Sequence, residues 1–461
     1  MAVLKTSVVL LSLLVFACAD KASKAQDEAA DVPEMGDFFV KPTAGKADTA
    51  YLSTLATEVE GIYASRLSLS LVGLTLEERE ELAGQFSIES MALRQLIDEQ
   101  LKFAKKQLNA ARLRINLSAG DEVEATTVEI SEKALSIEFS VMLESIITAK
   151  DLEAEGITLE DLENTSVDVV VPLDPRAMRQ RAGENCASGH SADLLDDHNY
   201  FYYYEPDKQT CTEPTHVARF TVKSRLPAKT VYPEYDLLAE DGRLDVAIYF
   251  GIASSNYQPG FFDWGQMGHD EVFYTLVENG FEDGGYAEPV GRYLEKHENG
   301  LHTRIHFIGP LDLGRLSSDE KQAAFRTMVS NNEVVMYNGH SFYGSLAVLT
   351  APEHFPKNRY QIFFMNSCWS YEYYTKQIFA SKSSHTDPRG WALADVVNNT
   401  EVGQAHNAGG FSAILLANIK AGTEFGGIQR NEGRYFTWAN IIGAMNEHAI
   451  DAMVTEGKFE I

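Results

Sequence analysis

Two short apolar runs, each cut off by small residues and each followed at once by a reactive side chain, constrain this chain more than any other feature. Between Glu333 and Phe379 the first run is Val334-Val335-Met336-Tyr337, followed by Asn338-Gly339-His340-Ser341. The second is Gln361-Ile362-Phe363-Phe364-Met365, followed by Asn366-Ser367-Cys368. Apolar runs of this length, closed abruptly, read as strands of a parallel sheet covered on both faces. Each strand then delivers one chemical group, an imidazole and a thiol, just past its carboxyl end. In an open α/β sheet that edge is where helix N-termini and loops converge and where ligands collect. If the strands are neighbours, about 4.8 Å apart, the two groups come within reach of each other. A cysteine nucleophile with a histidine partner needs that arrangement.

The flanking pattern agrees. From about Leu237 strand-like and helix-like segments alternate, which implies βαβ crossovers. Leu244 to Gly251 reads as a first strand, followed by a helix near Asp270 to Val277 that Asn279-Gly280 closes. Thr303 to Ile308 reads as a second strand, and Ser317 with Glu320 forms a capping box for a helix ending near Val329. The His340 and Cys368 strands come third and fourth, with enough chain between them for a crossover helix. A helix over Tyr371 to Phe379 leaves Cys368, Ser412 to Ala417 reads as a fifth strand, and Phe436 to Met445 as a last helix.

The first half reads differently. From Thr49 to Ala111 the spacing is helical, with Met91, Leu93, Leu96, Ile97, Leu101 and Ala104 on one face. From Leu113 to Thr230 the period shortens to that of strands, over Thr126 to Ile130, Leu135 to Val141, Val167 to Val171 and Val217 to Val222. The expected organisation is a leader over 1–18, a tether over 19–47, a helical segment over 48–112, a β-rich accessory domain over 113–236 and an α/β domain over 237–461. The aromatic run His198 to Pro206 is expected as a strand against the core. His190 and His198 stand among Asp193, Asp196 and Asp197, but without tetrahedral ligand spacing, so neither a metal nor another cofactor is expected.

Charge and cysteines bound the setting. A formal net charge of -28 argues against nucleic acid, which is bound by neutralising phosphates with Lys and Arg. Lys5 and the apolar run Val8 to Ala17 have the form of a secretory signal. Val15-Phe16-Ala17-Cys18 resembles a bacterial lipoprotein box, which would leave Cys18 lipidated and the protein on the outer surface or in the periplasm. Ala17-Cys18-Ala19 also fits an ordinary cleavage site, and a secreted soluble protein would follow. Cys186 and Cys211 share one polar segment and are expected to bridge, leaving Cys368 as a thiol held for its reactivity.

The histidine block Val334 to Ser341 and the cysteine block Ile362 to Cys368, His before Cys, resemble the caspase-like cysteine peptidases, the superfamily of the gingipains, clostripains, legumains and metacaspases. The resemblance spans about Leu237 to Ile461. It implies a caspase-like, mostly parallel sheet with helices on both faces and an exported endopeptidase acting on a protein or peptide through a thioester. Cys368 would be the nucleophile and His340 the proton donor to the leaving amine. The oxyanion would rest on the backbone N–H groups of Cys368 and Ser341. One departure stands out: the family usually has Gly after the His, whereas here Gly339 precedes it and Ser341 follows. A silent surface lipoprotein that keeps the sheet as a binding scaffold is the alternative that this departure supports. Trp369, Asn338 and Gly339 are candidate pocket residues, with core packing the plainer role for Trp369. Asp387, Asp395 and Glu401 are candidates to select a basic side chain.

Overall fold

Every second residue from Val59 to Leu71 is buried, the period of a strand with one covered face, and Ala56–Ser70 forms a single long strand, β1. The helical expectation for this stretch is therefore corrected. Gly61 and Ser65 occupy two of the inward positions, so the apolar alternation is interrupted in the sequence although the burial is not. Gly61 is required there, since a Cβ would lie 2.2 Å from the Phe220 ring.

A computed structural model describes residues 56–86, 90–111, 113, 115–117, 122–188, 200–225, 232–254, 257–258, 260–286, 291–341, 349, 351–400, 403–451 and 459–460. The leader, Cys18 and the tether lie outside these residues, as do His190, His198, the three nearby aspartates and Glu401. The chain is mixed α/β; the described residues form an antiparallel sheet, a larger sheet with a parallel centre, and a two-stranded antiparallel ribbon of Ile428–Gln429 with Arg434–Tyr435.

In the first sheet β1 pairs antiparallel with β4 (Ala134–Thr148) and β6 (Thr215–Arg225). The strands β2 (Asn116–Leu117), β3 (Glu122–Ile130) and β5 (Ser166–Pro172) complete it. The helix Met91–Ala110, capped by Ser90, lays Leu93, Leu96, Ile97, Leu101 and Leu108 onto the same core. The expected helical segment and β-rich domain are thus one folded unit. Gln100, fully buried in that helix, satisfies the carbonyls of Arg66 and Pro172 and accepts from Ser65. The aromatic run is not a strand: Tyr200–Tyr203 is a single helical turn, with Tyr200, Phe201 and Tyr204 buried. Beside it Cys186 and Cys211 form a disulfide.

The second sheet runs parallel in the order β13 (Ala394–Asn399), β12 (Gln361–Asn366), β11 (Val334–Asn338), β7 (Arg243–Phe250), β10 (Leu301–Ile308). The antiparallel β9 (Arg292–Glu298) and β8 (Glu282–Tyr286) extend one side, and Phe459–Glu460 the other. The helices Trp264–Glu278, Ala408–Phe425 and Trp438–Asp451 cover one face; Ser318–Asn331 and Ser370–Lys382 cover the other. Ser412 to Ala417 belongs to the helix Ala408–Phe425, so the fifth-strand expectation is corrected; the strand in that place is β13. An apolar run of six residues fits either element, and only length separates them. Among the described residues between β11 and β12 there is a 3-10 turn, Pro352–His354, and no crossover helix.

The two units meet along the helix Ser370–Lys382. Glu372, 7% exposed, lies 3.7 Å from Lys105 and accepts from Asn109 at 3.3 Å. Tyr371 donates to Glu58 of β1 at 3.4 Å, and Tyr202 sits with its ring 6.5 Å from that of Trp369. Burial, then the nearby Glu144 carboxylate, push the Glu58 carboxyl up to about 8, against a lowering by the Tyr371 hydroxyl. Glu144 is itself raised, first by burial and then by Glu60, its direct cross-strand partner, against Arg389.

A carboxyl raised in the folded state holds its proton there and loses it on unfolding. Its stabilisation is complete below the ordinary value of 4.5 and is lost as pH rises through about 8. The native chain should lose on the order of 3 kcal/mol of unfolding free energy between those limits. Urea midpoints at pH 5 and pH 8 should differ much less in Glu58→Gln than in the native chain; equal differences in both would refute the assignment.

Candidate functional site

The strand register sets His340 and Cys368 just past the paired ends of neighbouring strands. Asn338 of β11 is paired with Asn366 of β12, and His340 and Cys368 each follow by two residues on adjacent parallel strands. The pairing continues past the strand ends, because the Gly339 N–H donates to the Asn366 carbonyl at 3.2 Å. His340 is exposed and Cys368 half-buried. The Cys368 thiol, outside the disulfide, lies 3.8 Å from the Gly403 carbonyl oxygen. Gly403 packs closely on this turn, since a Cβ there would sit 3.0 Å from the Ser367 carbonyl carbon and 3.2 Å from the Cys368 nitrogen, tight enough that the neighbours would have to give by a few tenths of an ångström.

Beneath this edge runs a ladder of buried amides that the sequence reading missed. Asn399 Nδ2 donates to Asn366 Oδ1 at 3.0 Å, and Asn366 Nδ2 donates to Asn338 Oδ1 at 2.8 Å. Asn338 Nδ2 donates to Ser412 Oγ at 3.0 Å, on the helix Ala408–Phe425. All four residues are at most 5% exposed. An amide has both a donor and an acceptor, so each rung satisfies its neighbour only when the three strands end level. Asn338, expected as a pocket residue, has its amide engaged in this ladder instead of facing open space. The signal was present in part: β11 and β12, both read as strands, each end in Asn, whereas β13 carries Asp395 and two asparagines.

The loop after β11 is held by two tyrosines. Tyr337 Oη donates to the His340 carbonyl at 2.7 Å, and Tyr374 Oη donates to the Ser341 carbonyl. Burial pushes both phenols far above their ordinary value, so both stay protonated donors. In a planar trans peptide the N–H points opposite to the C=O. With the His340 carbonyl turned down to Tyr337, the Ser341 N–H is directed away from the core. Gly339 makes this possible, because a Cβ there would stand 2.8 Å from Tyr337 Oη. The glycine before the histidine is thus explained by the tyrosine folded under it.

After Cys368 the backbone turns sharply. Trp369 has φ 48° and ψ 39°, a left-handed conformation that the other such non-glycine residues among those described, Asn164 and Asn299, adopt more readily than a tryptophan. The cost is on the order of 1 kcal/mol. It lets the helix Ser370–Lys382 begin at once, two residues after Cys368. Ser370 Oγ accepts from the Asn399 N–H at 2.8 Å, locking the turn to β13. Trp369 is half-buried between the two units, beside Tyr202.

Other expected candidates lie elsewhere or are already engaged. Asp395 stands near the amino end of β13, where Trp438 and Tyr360 donate to its carboxylate, remote from the Cys368 edge. Asp387 accepts from the backbone N–H groups of Gly390 and Ala392 and closes a turn. His302 and His306 lie in β10, and His302 stacks on His297 across the strand pair at 3.9 Å. Among the described residues no group of three or more His, Cys, Asp or Glu is arranged to hold a metal ion. No family model, curated protein or solved structure matches the chain.

Removing one rung tests the ladder. Asn366→Ala leaves Asn399 Nδ2 without an acceptor and Asn338 Oδ1 with Ser412 Oγ alone as donor, and should lower the unfolding free energy by roughly 2 kcal/mol. A urea midpoint equal to that of the native chain would mean that the amides carry no net stability.

Proposed function

We propose that the chain is a cysteine endopeptidase built on a caspase-like sheet, with Cys368 as nucleophile and His340 as its proton partner. The single observation that carries this reading is the level ending of β11 and β12, from which both residues issue two positions beyond a paired Asn338 and Asn366.

The chemistry runs in two steps. Cys368 gives its proton to His340 and its sulfur attacks the scissile carbonyl carbon, forming a C–S bond. The carbonyl oxygen, now carrying the charge, is met by the Ser341 and Cys368 N–H groups. The C–N bond then breaks, the amine leaves with the proton held by His340, and a thioester remains. Water adds to the thioester, a carboxylic acid departs, and the thiol is restored. The tethering of the Ser341 peptide by Tyr337 and Tyr374 supports a role for serine at this position, since the donor is backbone and its direction is set from below.

The disulfide supports export, because such bridges persist in oxidising compartments. We infer anchoring through lipidated Cys18, with secretion after ordinary cleavage as the alternative outcome of mass analysis of the mature N-terminus. Among the described residues no helix is long and apolar enough to cross a membrane.

Alkylation of the full chain by iodoacetamide is expected to fall selectively on Cys368, and to slow at least tenfold in His340→Ala. A sulfur indifferent to that substitution leaves the binding-scaffold reading. With a fluorescent casein substrate, Tyr337→Phe should cut kcat about tenfold, on the order of one oriented donor, with KM little changed. A rise in KM alone would refute the orienting role.

A further inference from the structure

Three large apolar side chains in four consecutive positions, Phe261, Phe262 and Trp264, are 70%, 66% and 43% exposed. Single exposed apolar residues need no explanation, whereas a cluster beside a reactive edge does. These three follow β7, the strand next to β11. Their loop is fastened to the His340 loop: the Gly251 N–H donates to the Asn338 carbonyl at 2.7 Å, and a Cβ on Gly251 would lie 3.3 Å from the Gly339 Cα. Asp263 anchors the other end, its carboxylate accepting the N–H groups of Ala253, Ser254, Gly265 and Gln266.

The rings also reach the Cys368 side. Phe262 packs edge-on against Trp264 at 4.7 Å, and Trp264 lies 5.6 Å from the His406 ring. His406 belongs to the short segment from Gly403 whose carbonyl meets the Cys368 thiol. These rings therefore bound the edge on the face covered by the helices Trp264–Glu278 and Ala408–Phe425. On the opposite face Trp369 stands with Tyr202 and Tyr373, whose rings are 6.3 Å apart. Aromatic rings thus stand on both sides of the Cys368 turn, those of Phe261, Phe262 and Trp264 the more exposed, and the one carboxylate among Phe261 to Trp264, that of Asp263, is 3% exposed and bonded to backbone.

We propose that this cleft takes a bulky apolar side chain, aromatic or branched aliphatic, flanking the scissile bond of a peptide, with Phe262 and Trp264 as the residues that select it. The proposal rests on the reading of Cys368 as an acyl-transfer nucleophile, and it sets the substrate class: peptides presenting Phe, Tyr or Leu, in preference to charged residues. An exposed aromatic wall gains from covering apolar surface and returns no hydrogen bond for the water that an ammonium or carboxylate sheds; a cation–π contact is all it offers an ammonium, and a Lys peptide binding best is the outcome that contact would give.

Two measurements on the full chain separate this proposal from the one it rests on. The first needs no chemistry. Fluorescein-labelled octapeptides with a central Phe, Gly, Lys or Asp are titrated into Cys368→Ala and followed by anisotropy. The Phe peptide should bind at least tenfold more tightly than the others; Trp264→Ala in that background should bring the four within threefold, and Trp264→Phe should restore the order. Equal affinities, or a Lys or Asp peptide binding best, overturn the proposal. In the second, peptidyl chloromethyl ketones Gly-Phe, Phe-Gly, Gly-Gly, Gly-Lys and Gly-Asp compete for Cys368 in the native chain. One of the two Phe reagents should alkylate at least tenfold faster than Gly-Gly, in a His340-dependent manner. Alkylation that ignores His340 refutes the nucleophile reading even when the Phe peptide binds. His340-dependent alkylation without a Phe preference refutes the apolar cleft and leaves the nucleophile standing.

Discussion

The arrangement depends on polar groups that have no access to water. At the carboxyl ends of β13, β12 and β11 the sheet stops being apolar and becomes a row of asparagines, closed by Ser412. In a low-dielectric interior an unpaired amide is expensive, so each rung needs its neighbour; only Asn399 Oδ1, at the outer end of this row, is buried without a partner in it. That condition couples three strand ends and a helix from the far side of the chain into one geometry. Apolar residues there would fill the same space but would tolerate a strand shifted along its axis. A shift of one residue in β12 would move Cys368 to the other face of the sheet. The amides therefore do more for register than for net stability.

The same edge also depends on backbone that has been forced to bend. Trp369 is left-handed, Gly403 gives its Cβ space to Cys368, and Gly339 gives its own to Tyr337. Each departure is compensated by a nearby hydrogen bond: Ser370 to the Asn399 N–H, Tyr337 to the His340 carbonyl, Tyr374 to the Ser341 carbonyl. Local strain persists only where the surroundings over-determine it. Here they include the first sheet, because the helix that follows Trp369 is clamped through Tyr371, Glu372 and Tyr373 by Glu58, Lys105, Asn109 and Tyr202. The N-terminal unit is thus built into the support of the Cys368 turn.

How much of this was legible in the chain follows from the range of each interaction. The strands that carry His340 and Cys368 are continuous apolar runs, and both faces of a parallel sheet demand that, so composition within a window of six residues suffices. The capping box at Ser317 was equally plain, since a cap involves residues three apart, and the helix Met91–Ala110 showed in its three- and four-residue apolar spacing. β1 was not legible because glycine and serine stand at two inward positions, and the Phe220 ring that makes Gly61 necessary is far away in sequence. Ser412 to Ala417 misled because a helix sandwiched between a sheet and other helices is apolar all round and loses its period.

The amino-acid sequence by itself determined where an imidazole and a thiol close two apolar strands, since these are local facts, and it carried the alternation of strands and helices after Leu237 except at β8 to β10, which follow one another, and between β11 and β12, where the described residues form no helix. Only the tertiary structure decided that those strands are neighbours, that they end level, that Tyr337 turns the Ser341 peptide outward, and that Phe262 and Trp264 stand beside the edge. Those outcomes depend on amides, phenols and rings meeting from segments tens to hundreds of residues apart, and such meetings leave no periodic trace within any one segment.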